Sequence, residues 1–247
     1  MKKWMVALAF LGVTLGSVQA EPVRVLVYGD SNTYGWQSAQ DDQELPRFGD
    51  AVRWPGVMKA ALGRDYQVSV NGLPGRTLDT DFPKGIGTLD ALDLNGKRRL
   101  PLAMHVEGPV NVLVLSLGTN DLIDHFHKSN TDIAASLKSV LELAKQDLVP
   151  HVAWKAPRIL VIAPAPIGDT SKTDFRDDFG AHAAAQSPQL GSLMCKVAIE
   201  QGAACLNAGD VIKVDGLDGL HYSPATHARL GRAVAKKIRQ LASTPAH

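Results

Sequence analysis

The feature that most constrains the fold is an almost unbroken aliphatic run at positions 110–117. A run this short and this apolar is typical of a parallel strand that is buried on both faces of a sheet. Shorter apolar runs occur at 23–28, 158–163 and 204–207, and a further strand is predicted at 66–70. Helical patterns at 53–62, 131–148, 187–201 and 223–241 separate these segments. The segment 78–109 is less clear and predicts a helix at 89–94 or at 100–105. Strands that alternate with helices predict an α/β fold with one parallel sheet covered on both faces.

The first twenty residues have the pattern of a secretory signal peptide. Lys2 and Lys3 precede an apolar run of twelve residues, which is too short to span a bilayer comfortably, and small residues precede a cleavage point after Ala20. We therefore expect a mature domain at 21–247 that is periplasmic or secreted, with no stable membrane insertion after cleavage. The alternative is an uncleaved N-terminal helix.

Charge and cysteine content further limit the classes of protein to which this chain can belong. Without Lys2 and Lys3, 24 of the 26 basic residues remain against 25 acidic ones, and this near balance argues against nucleic-acid binding. Cys195 and Cys205 are the two cysteines. Export permits a disulfide between them. Because one is predicted in a helix and the other at the start of a strand, we expect two buried free thiols instead.

Four polar positions predict a catalytic rim. Ser31, Gly75 and Asn120 each follow a predicted strand, and in parallel sheets the carboxyl ends of the strands meet at one edge. Asp218 lies three residues before His221, a spacing that allows the carboxylate to orient the imidazole. We expect His221 to activate the Ser31 hydroxyl, with an oxyanion hole formed by the N–H groups of Ser31 and Gly75 and by the amide of Asn120.

Other polar residues offer competing roles. Asp215 competes with Asp218 as the partner of His221, but its spacing suits a turn residue better. His125 and His127, near two aspartates, are more typical of a solvated loop than of a metal site, and we expect no metal there.

The sequence contains fewer indications of which residues form the substrate pocket. Asn32, Trp36 and Arg76 are its candidate residues because they adjoin the predicted catalytic positions. Phe48 lines the pocket or only packs its own loop, whereas Trp54 belongs to the core. The segment 169–180, which carries Phe175 and Phe179, covers the site as a lid or forms a subunit contact.

Together these motifs resemble the SGNH (GDSL) hydrolase family. The resemblance rests on Gly-Asp-Ser at 29–31, Gly75, Gly-Thr-Asn-Asp at 118–121, and Asp-x-x-His at 218–221. Longer matches at 53–57, 75–77, 117–122, 164–166 and 207–221 point to the bacterial arylesterase/acyltransferase branch. One departure is Asn32, where a Leu is common in the family. The chain also lacks a Gly-x-Ser-x-Gly elbow, which disfavours the α/β-hydrolase fold.

The resemblance implies a flavodoxin-like three-layer α/β/α sandwich with a five-stranded parallel sheet and a metal-independent ester hydrolase without a cofactor. We expect a serine esterase that acts on short-chain acyl or aryl esters through an acyl-enzyme, with acyl transfer to alcohols as a further reaction. The alternatives are an O-acetyl esterase acting on cell-wall or exopolysaccharide glycans, a thioesterase or lysophospholipase, and a catalytically silent domain that binds a glycan or a protein. Assembly into a homo-oligomer is left open.

Overall fold

The computed structural model of the protein describes residues 21–38, 47–85, 89–146 and 155–243. The predicted signal peptide at 1–20 lies outside the described residues. Within those residues, no helix has both the length and the apolar character that crossing a membrane requires.

The centre of the fold is a five-stranded sheet in which every pairing is parallel. Its strands are β1 (Val23–Gly29), β2 (Tyr66–Gly72), β3 (Val112–Ser116), β4 (Arg158–Ala163) and β5 (Ala204–Asn207). Their spatial order is β2-β1-β3-β4-β5, the order of flavodoxin-like doubly wound sheets. The predicted α/β fold class is therefore confirmed.

Helices cover both faces of this sheet. They are α1 (Ser31–Tyr34), α2 (Trp54–Leu62), α3 (Gly96–Glu107), α4 (Asn130–Ala144), α5 (Ala181–Glu200) and α6 (Pro224–Ser243). One core cluster joins α3, α4 and α5 to alternate strand residues such as Leu26 and Leu113, and the other joins α2 and α6 to their neighbours Val27 and Val114. Because strand side chains alternate between faces, one aliphatic run supplies both cores.

The packing of α2 against α6 depends on a glycine. A Cβ at Gly231 would lie 2.6 Å from the carbonyl oxygen of Trp54 and 2.8 Å from the Cβ of Val57. The two helices can therefore approach each other only because position 231 has no side chain. Trp54 is fully buried in this layer, as its sequence context predicted.

The helix α5 is longer than its sequence pattern indicates. It begins at Ala181 rather than near 187 and continues through Pro188. The carboxylate of Asp124, from a distant segment, accepts a hydrogen bond of 2.9 Å from the backbone N–H of Ala183. Because the first turn of the helix is stabilised by a residue far away in sequence, no local capping signal marks its start.

The expectation of two free thiols is wrong, because Cys195 and Cys205 form a disulfide. The turn between α5 and β5 passes through Gly202, which has a φ of 71°. This turn folds the strand back along the helix and brings the two Cα atoms to 5.3 Å, within the range that a disulfide requires. The sequence pattern predicted a helix and a strand but not the distance between them, and the tight turn at Gly202 places α5 and β5 side by side.

The segment 78–109, whose sequence predicted a helix at one of two positions, contains helices at both. Both candidate positions are helical: a 3-10 helix covers Ala91–Leu94, and α3 follows it directly. The side chain of Asn95 separates the two by accepting a hydrogen bond from the backbone N–H of Arg98. Pro101 lies inside α3, which explains why the sequence pattern there is broken.

The topology also positions the polar rim. The chain order reverses between β1 and β3, and in open α/β sheets a crevice forms where adjacent strands send their connections to opposite faces. Ser31 lies two residues after the end of β1, and Asn120 follows β3. The structure thus places both residues at this switch point.

Candidate active site

Ser31, His221 and Asp218 form a continuous hydrogen-bonded chain. The Nε2 atom of His221 lies 2.9 Å from the Oγ of Ser31, and its Nδ1 lies 2.6 Å from the Oδ2 of Asp218. The other carboxylate oxygen of Asp218 accepts the backbone N–H groups of Leu220 and His221, both at 2.9 Å. These backbone bonds fix the turn, so the carboxylate is held against the ring from which it is three residues away.

The electrostatics of this chain favour an ionised carboxylate. Burial alone would raise the pKa of Asp218, but the hydrogen bond and charge of His221 and the two backbone N–H bonds together lower this pKa below its ordinary value. Asp215 has a different task. Its carboxylate accepts hydrogen bonds from the Ser223 backbone and hydroxyl and from the Thr226 hydroxyl at the start of α6.

Ser31 is held at the end of β1 by a sharp turn. A Cβ at Gly29 would lie 2.1 Å from the Oγ1 of Thr33, so only glycine allows α1 to begin this close to the strand. The carboxylate of Asp30 accepts the backbone N–H of Asn32 at 3.0 Å and caps α1. The hydroxyl of Ser31 is thereby presented at the sheet edge.

Asp30 itself has an unusual environment. It is almost fully buried, and this burial raises its pKa to about 6, although backbone N–H bonds and the charges of His221 and Arg76 act in the opposite direction. The one indication of this residue in the sequence is its position directly before Ser31, and its burial follows only from the folded structure.

The residues expected to form the oxyanion hole line one pocket with Ser31 and His221. Gly75 and Asn120 both border this cavity of about 250 Å³. Gly75 has a φ of 78°, in the left-handed region that side chains rarely adopt. The amide of Asn120 donates one hydrogen bond to the carbonyl oxygen of Arg76 at 3.0 Å, which ties the two segments together and leaves a second N–H on the same amide.

A buried carboxylate, Asp121, stabilises the loops that carry Gly75 and Asn120. Asp121 accepts the backbone N–H of Leu78 at 2.8 Å and the hydroxyl of Thr80 at 3.2 Å, and the ammonium of Lys128 lies 3.4 Å away. Burial raises the pKa of Asp121 despite these partners. The network fixes the loop after Gly75 to the loop after β3.

Aromatic side chains form the walls of the pocket. Trp36 and Phe175 both lie beside His221, with ring centroids 5.9 and 5.8 Å from that of the imidazole. Phe82, Ile123 and Phe179 also line the cavity. Sequence reasoning left open whether 169–180 covers the site or forms a subunit contact; in the structure Phe175 and Phe179 border the site. It missed Phe82, which lies where no periodic pattern was visible.

The three pocket candidates have different positions. Trp36 and Asn32 line the cavity, and Asn32 is buried with its amide donating to the carbonyl oxygen of Leu220 at 3.2 Å. Arg76 does not line this cavity, so that expectation is wrong. Its guanidinium turns away and donates to the carbonyl oxygens of Gly29 and Asn71 at 2.9 and 2.7 Å, because a buried cation needs acceptors in place of the water it has lost.

The structure also shows the surroundings of Phe48, a candidate for the pocket wall, and of His125, which was considered as a metal ligand. Phe48 packs edge-on against His227 at 5.5 Å and does not border the pocket. His125 faces Asp178 at 3.7 Å and packs against Phe126. Among the described residues, no group of three or more His, Cys, Asp and Glu side chains is arranged to hold a metal ion.

Comparison with known proteins agrees with this geometry. The model of the GDSL-like lipase/acylhydrolase family matches residues 27–229. No curated protein matches the chain by sequence.

Several solved structures are similar over nearly their whole length. An aryl esterase of M. smegmatis is 31% identical with a TM-score of 0.81, and the match covers 89% of this chain and 99% of that one. Est24, a carbohydrate acetylesterase from Sinorhizobium meliloti, is 32% identical with a TM-score of 0.82 and the same coverage. An arylesterase from Agrobacterium tumefaciens, described as putative, is 28% identical with a TM-score of 0.76, covering 89% and 99%. The chain therefore belongs to the GDSL-like lipase/acylhydrolase family and is a carboxylic ester hydrolase.

Proposed function

We propose that the protein is a serine esterase in which Ser31 is the nucleophile, His221 the general base and Asp218 its partner. The observation that carries this proposal is the chain of short hydrogen bonds from the Ser31 hydroxyl through the imidazole to a buried carboxylate. A serine hydroxyl is a weak nucleophile until a base within hydrogen-bond range accepts its proton. The ring of His221 lies within that range.

The first half of the reaction forms an acyl-enzyme. The Oγ of Ser31 attacks the ester carbonyl carbon while His221 takes its proton, and the carbonyl oxygen becomes an oxyanion. The N–H groups of Ser31 and Gly75 and the free N–H of the Asn120 amide stabilise that charge. The carbon–oxygen bond of the ester then breaks, and His221 returns the proton to the leaving alcohol.

The second half regenerates the enzyme. A water molecule gives a proton to His221 and attacks the acyl carbon, which releases the carboxylic acid and restores the Ser31 hydroxyl. An alcohol in place of water would yield a new ester, which is the acyl transfer that we propose as a second outcome. The apolar walls around His221 favour this outcome because they reduce the access of water.

The pocket size supports short acyl groups. At about 250 Å³, the cavity is smaller than typical sites for drug-sized ligands, which begin at roughly 300 Å³. Aromatic walls suit an acetyl or aryl ester better than a long acyl chain, so we disfavour a lysophospholipase.

A direct test is the hydrolysis of p-nitrophenyl acetate. We expect turnover by the wild type, covalent labelling of Ser31 by a fluorophosphonate, and loss of both in Ser31→Ala. The matched control is Ser192→Ala, on the exposed face of α5, which should keep full activity. Equal turnover by the wild type and Ser31→Ala would refute the proposal.

O-acetylated glycans are the second candidate substrate. The similarity to the S. meliloti carbohydrate acetylesterase favours them. Measuring acetate release from acetylated xylan and from phenyl acetate under the same conditions would rank the two substrates. A silent binding domain is not retained, since the family is one of hydrolases.

We also propose export, with residues 21–247 as the single mature domain. The signal-peptide pattern at 1–20 and the disulfide of Cys195 with Cys205 support an oxidising compartment.

A further inference from the structure

The outer face of α6 carries a line of cations. Arg229, Arg232, Lys236 and Arg239 are all exposed. Their spacing of three, four and three residues places them on a single stripe of the helix. At 1.5 Å per residue, this cationic stripe spans about 15 Å. The opposite face of the helix is buried against the sheet.

The stripe has no compensating negative charge of its own. The helix contains five basic residues and no acidic one, whereas the whole chain has 26 basic and 25 acidic residues. None of the four stripe residues forms an ion pair with a carboxylate among the described residues. Arg239 donates to the carbonyl oxygen of Ala61. The concentration of charge is therefore a property of this one surface.

A shallow groove of about 550 Å³ runs beside the stripe, between α2 and α6. Lys59 and Arg232 border it together with small side chains such as Ala60 and Ala228. Asp50 is the carboxylate in this groove, and it is paired with Arg53. Among the described residues, neither Lys59 nor Arg232 forms an ion pair. The groove therefore places two cations beside small side chains, where a flexible polymer can approach the surface closely.

We propose that the cationic stripe binds a linear anionic polysaccharide whose carboxylates pair with successive arginine and lysine side chains. Guanidinium groups suit carboxylates because they offer paired N–H donors. A polymer is favoured over a single anion because the charges lie in a row. A membrane surface is disfavoured because the exposed large apolar side chains of the described residues, which lie at 36, 92, 102, 106, 199 and 217, are all outside α2 and α6, so this face has no apolar anchor.

The binding surface is separate from the catalytic residues, although α6 begins only three residues after His221. A polymer held along α6 would remain attached to the molecule near the pocket. If the polymer carries acetyl esters, this attachment raises their local concentration at Ser31; that consequence rests on the proposed function, whereas the binding itself does not.

The test is a binding assay with immobilised polygalacturonate at low ionic strength. The triple variant Arg229→Glu, Arg232→Glu, Lys236→Glu reverses three stripe charges. The control Lys84→Glu, Lys138→Glu, Lys196→Glu makes the same change in net charge at exposed sites elsewhere. We expect the wild type and the control to bind. The stripe variant should bind at least about tenfold more weakly, and its affinity should depend less steeply on salt concentration.

Further measurements keep the result interpretable. Far-UV circular dichroism and hydrolysis of p-nitrophenyl acetate should be unchanged in both variants, which separates loss of binding from misfolding and from any failure of the esterase proposal. Neutral dextran and vesicles of phosphatidylglycerol are the competing ligands. Absence of polygalacturonate binding, equal weakening in both variants, or preferential binding to vesicles would overturn the proposal.

Discussion

At the scale of single residues, the site depends on carboxylates in three different environments. Asp218 is held ionised by bonds to His221 and the backbone, Asp30 is buried next to Ser31 with a pKa of about 6, and Asp215 caps α6. Their sequence contexts are alike, since each lies in a loop near Ser31 or His221. Only their surroundings distinguish them, and this difference leads to two predictions.

The first concerns the partner of His221. We expect Asp218→Asn to lower kcat by about three to four orders of magnitude, because the amide cannot stabilise the imidazolium or fix its tautomer. Asp215→Asn should leave kcat within about twofold, since its contacts only cap α6, a contribution of about 1 kcal/mol to stability. Steady-state hydrolysis of p-nitrophenyl acetate measures both. If Asp215→Asn lowered kcat more than Asp218→Asn, Asp215 rather than Asp218 would be the partner of His221.

The second concerns Asp30. Because its folded pKa is about 6 and its unfolded pKa about 4, the folded protein holds this proton more tightly. Its contribution to stability is complete below about pH 4 and is lost as the pH rises through about 6, a change of order 3 kcal/mol. Asp30→Asn keeps the oxygen that caps α1 but removes the charge.

We therefore expect the free energy of unfolding of Asp30→Asn, relative to the wild type, to increase as the pH rises between about 4 and 6. Urea denaturation at several pH values measures this difference. His227 has a pKa lowered to about 4, chiefly by burial, so it destabilises the fold as the pH falls. Since both proteins contain His227, its effect cancels in the comparison. A difference that does not change with pH would contradict the assignment.

At the scale of elements, the contacts between neighbouring helices and strands determine stability. The disulfide joins α5 to β5 across ten residues, so closing this short loop should stabilise the protein by about 2–3 kcal/mol. We expect a reductant to lower the free energy of unfolding of the wild type by that amount. The double variant Cys195→Ala, Cys205→Ala should already be destabilised and should not respond to the reductant.

The junction of α2 and α6 gives a matched pair of glycine substitutions. Gly231→Ala should destabilise the protein by about 1–3 kcal/mol or more, because its Cβ would overlap the backbone of Trp54. Gly49→Ala adds a Cβ that meets nothing within 4 Å and should be neutral. Thermal denaturation compares the two variants. Equal melting temperatures would show that the helices can separate at little cost.

At the scale of the whole molecule, export and the oxidised cysteines belong together. Expressed with its first twenty residues in a Gram-negative host, the protein should be recovered from the periplasm with Glu21 as its N-terminal residue and no free thiol. N-terminal sequencing and thiol titration measure both. An intact Met1 on the exported protein would refute the predicted cleavage.

Much of the fold and of the candidate site could be predicted because those features have local causes. Nearly continuous aliphatic segments mark β1, β3 and β4, because the interiors of these strands are buried on both faces of the sheet. The edge strands β2 and β5 are only half-buried and have weaker apolar patterns. The residues that follow those strands could be placed at one edge because parallel strands end together. The close spacing of Asp218 and His221 suggested their contact because both lie in one turn.

Other features depend on contacts between residues distant in sequence. Asp124 supports the start of α5, the turn at Gly202 brings the cysteines together, and a hydrogen bond to the carbonyl oxygen of Gly29 holds the Arg76 guanidinium away from the pocket. The sequence by itself determined which segments become strands and which polar residues lie at the sheet edge, because those outcomes follow from neighbouring residues. The tertiary structure alone decided the directions of side chains, their burial and the walls of the pocket, because these follow from groups that meet only after the chain has folded.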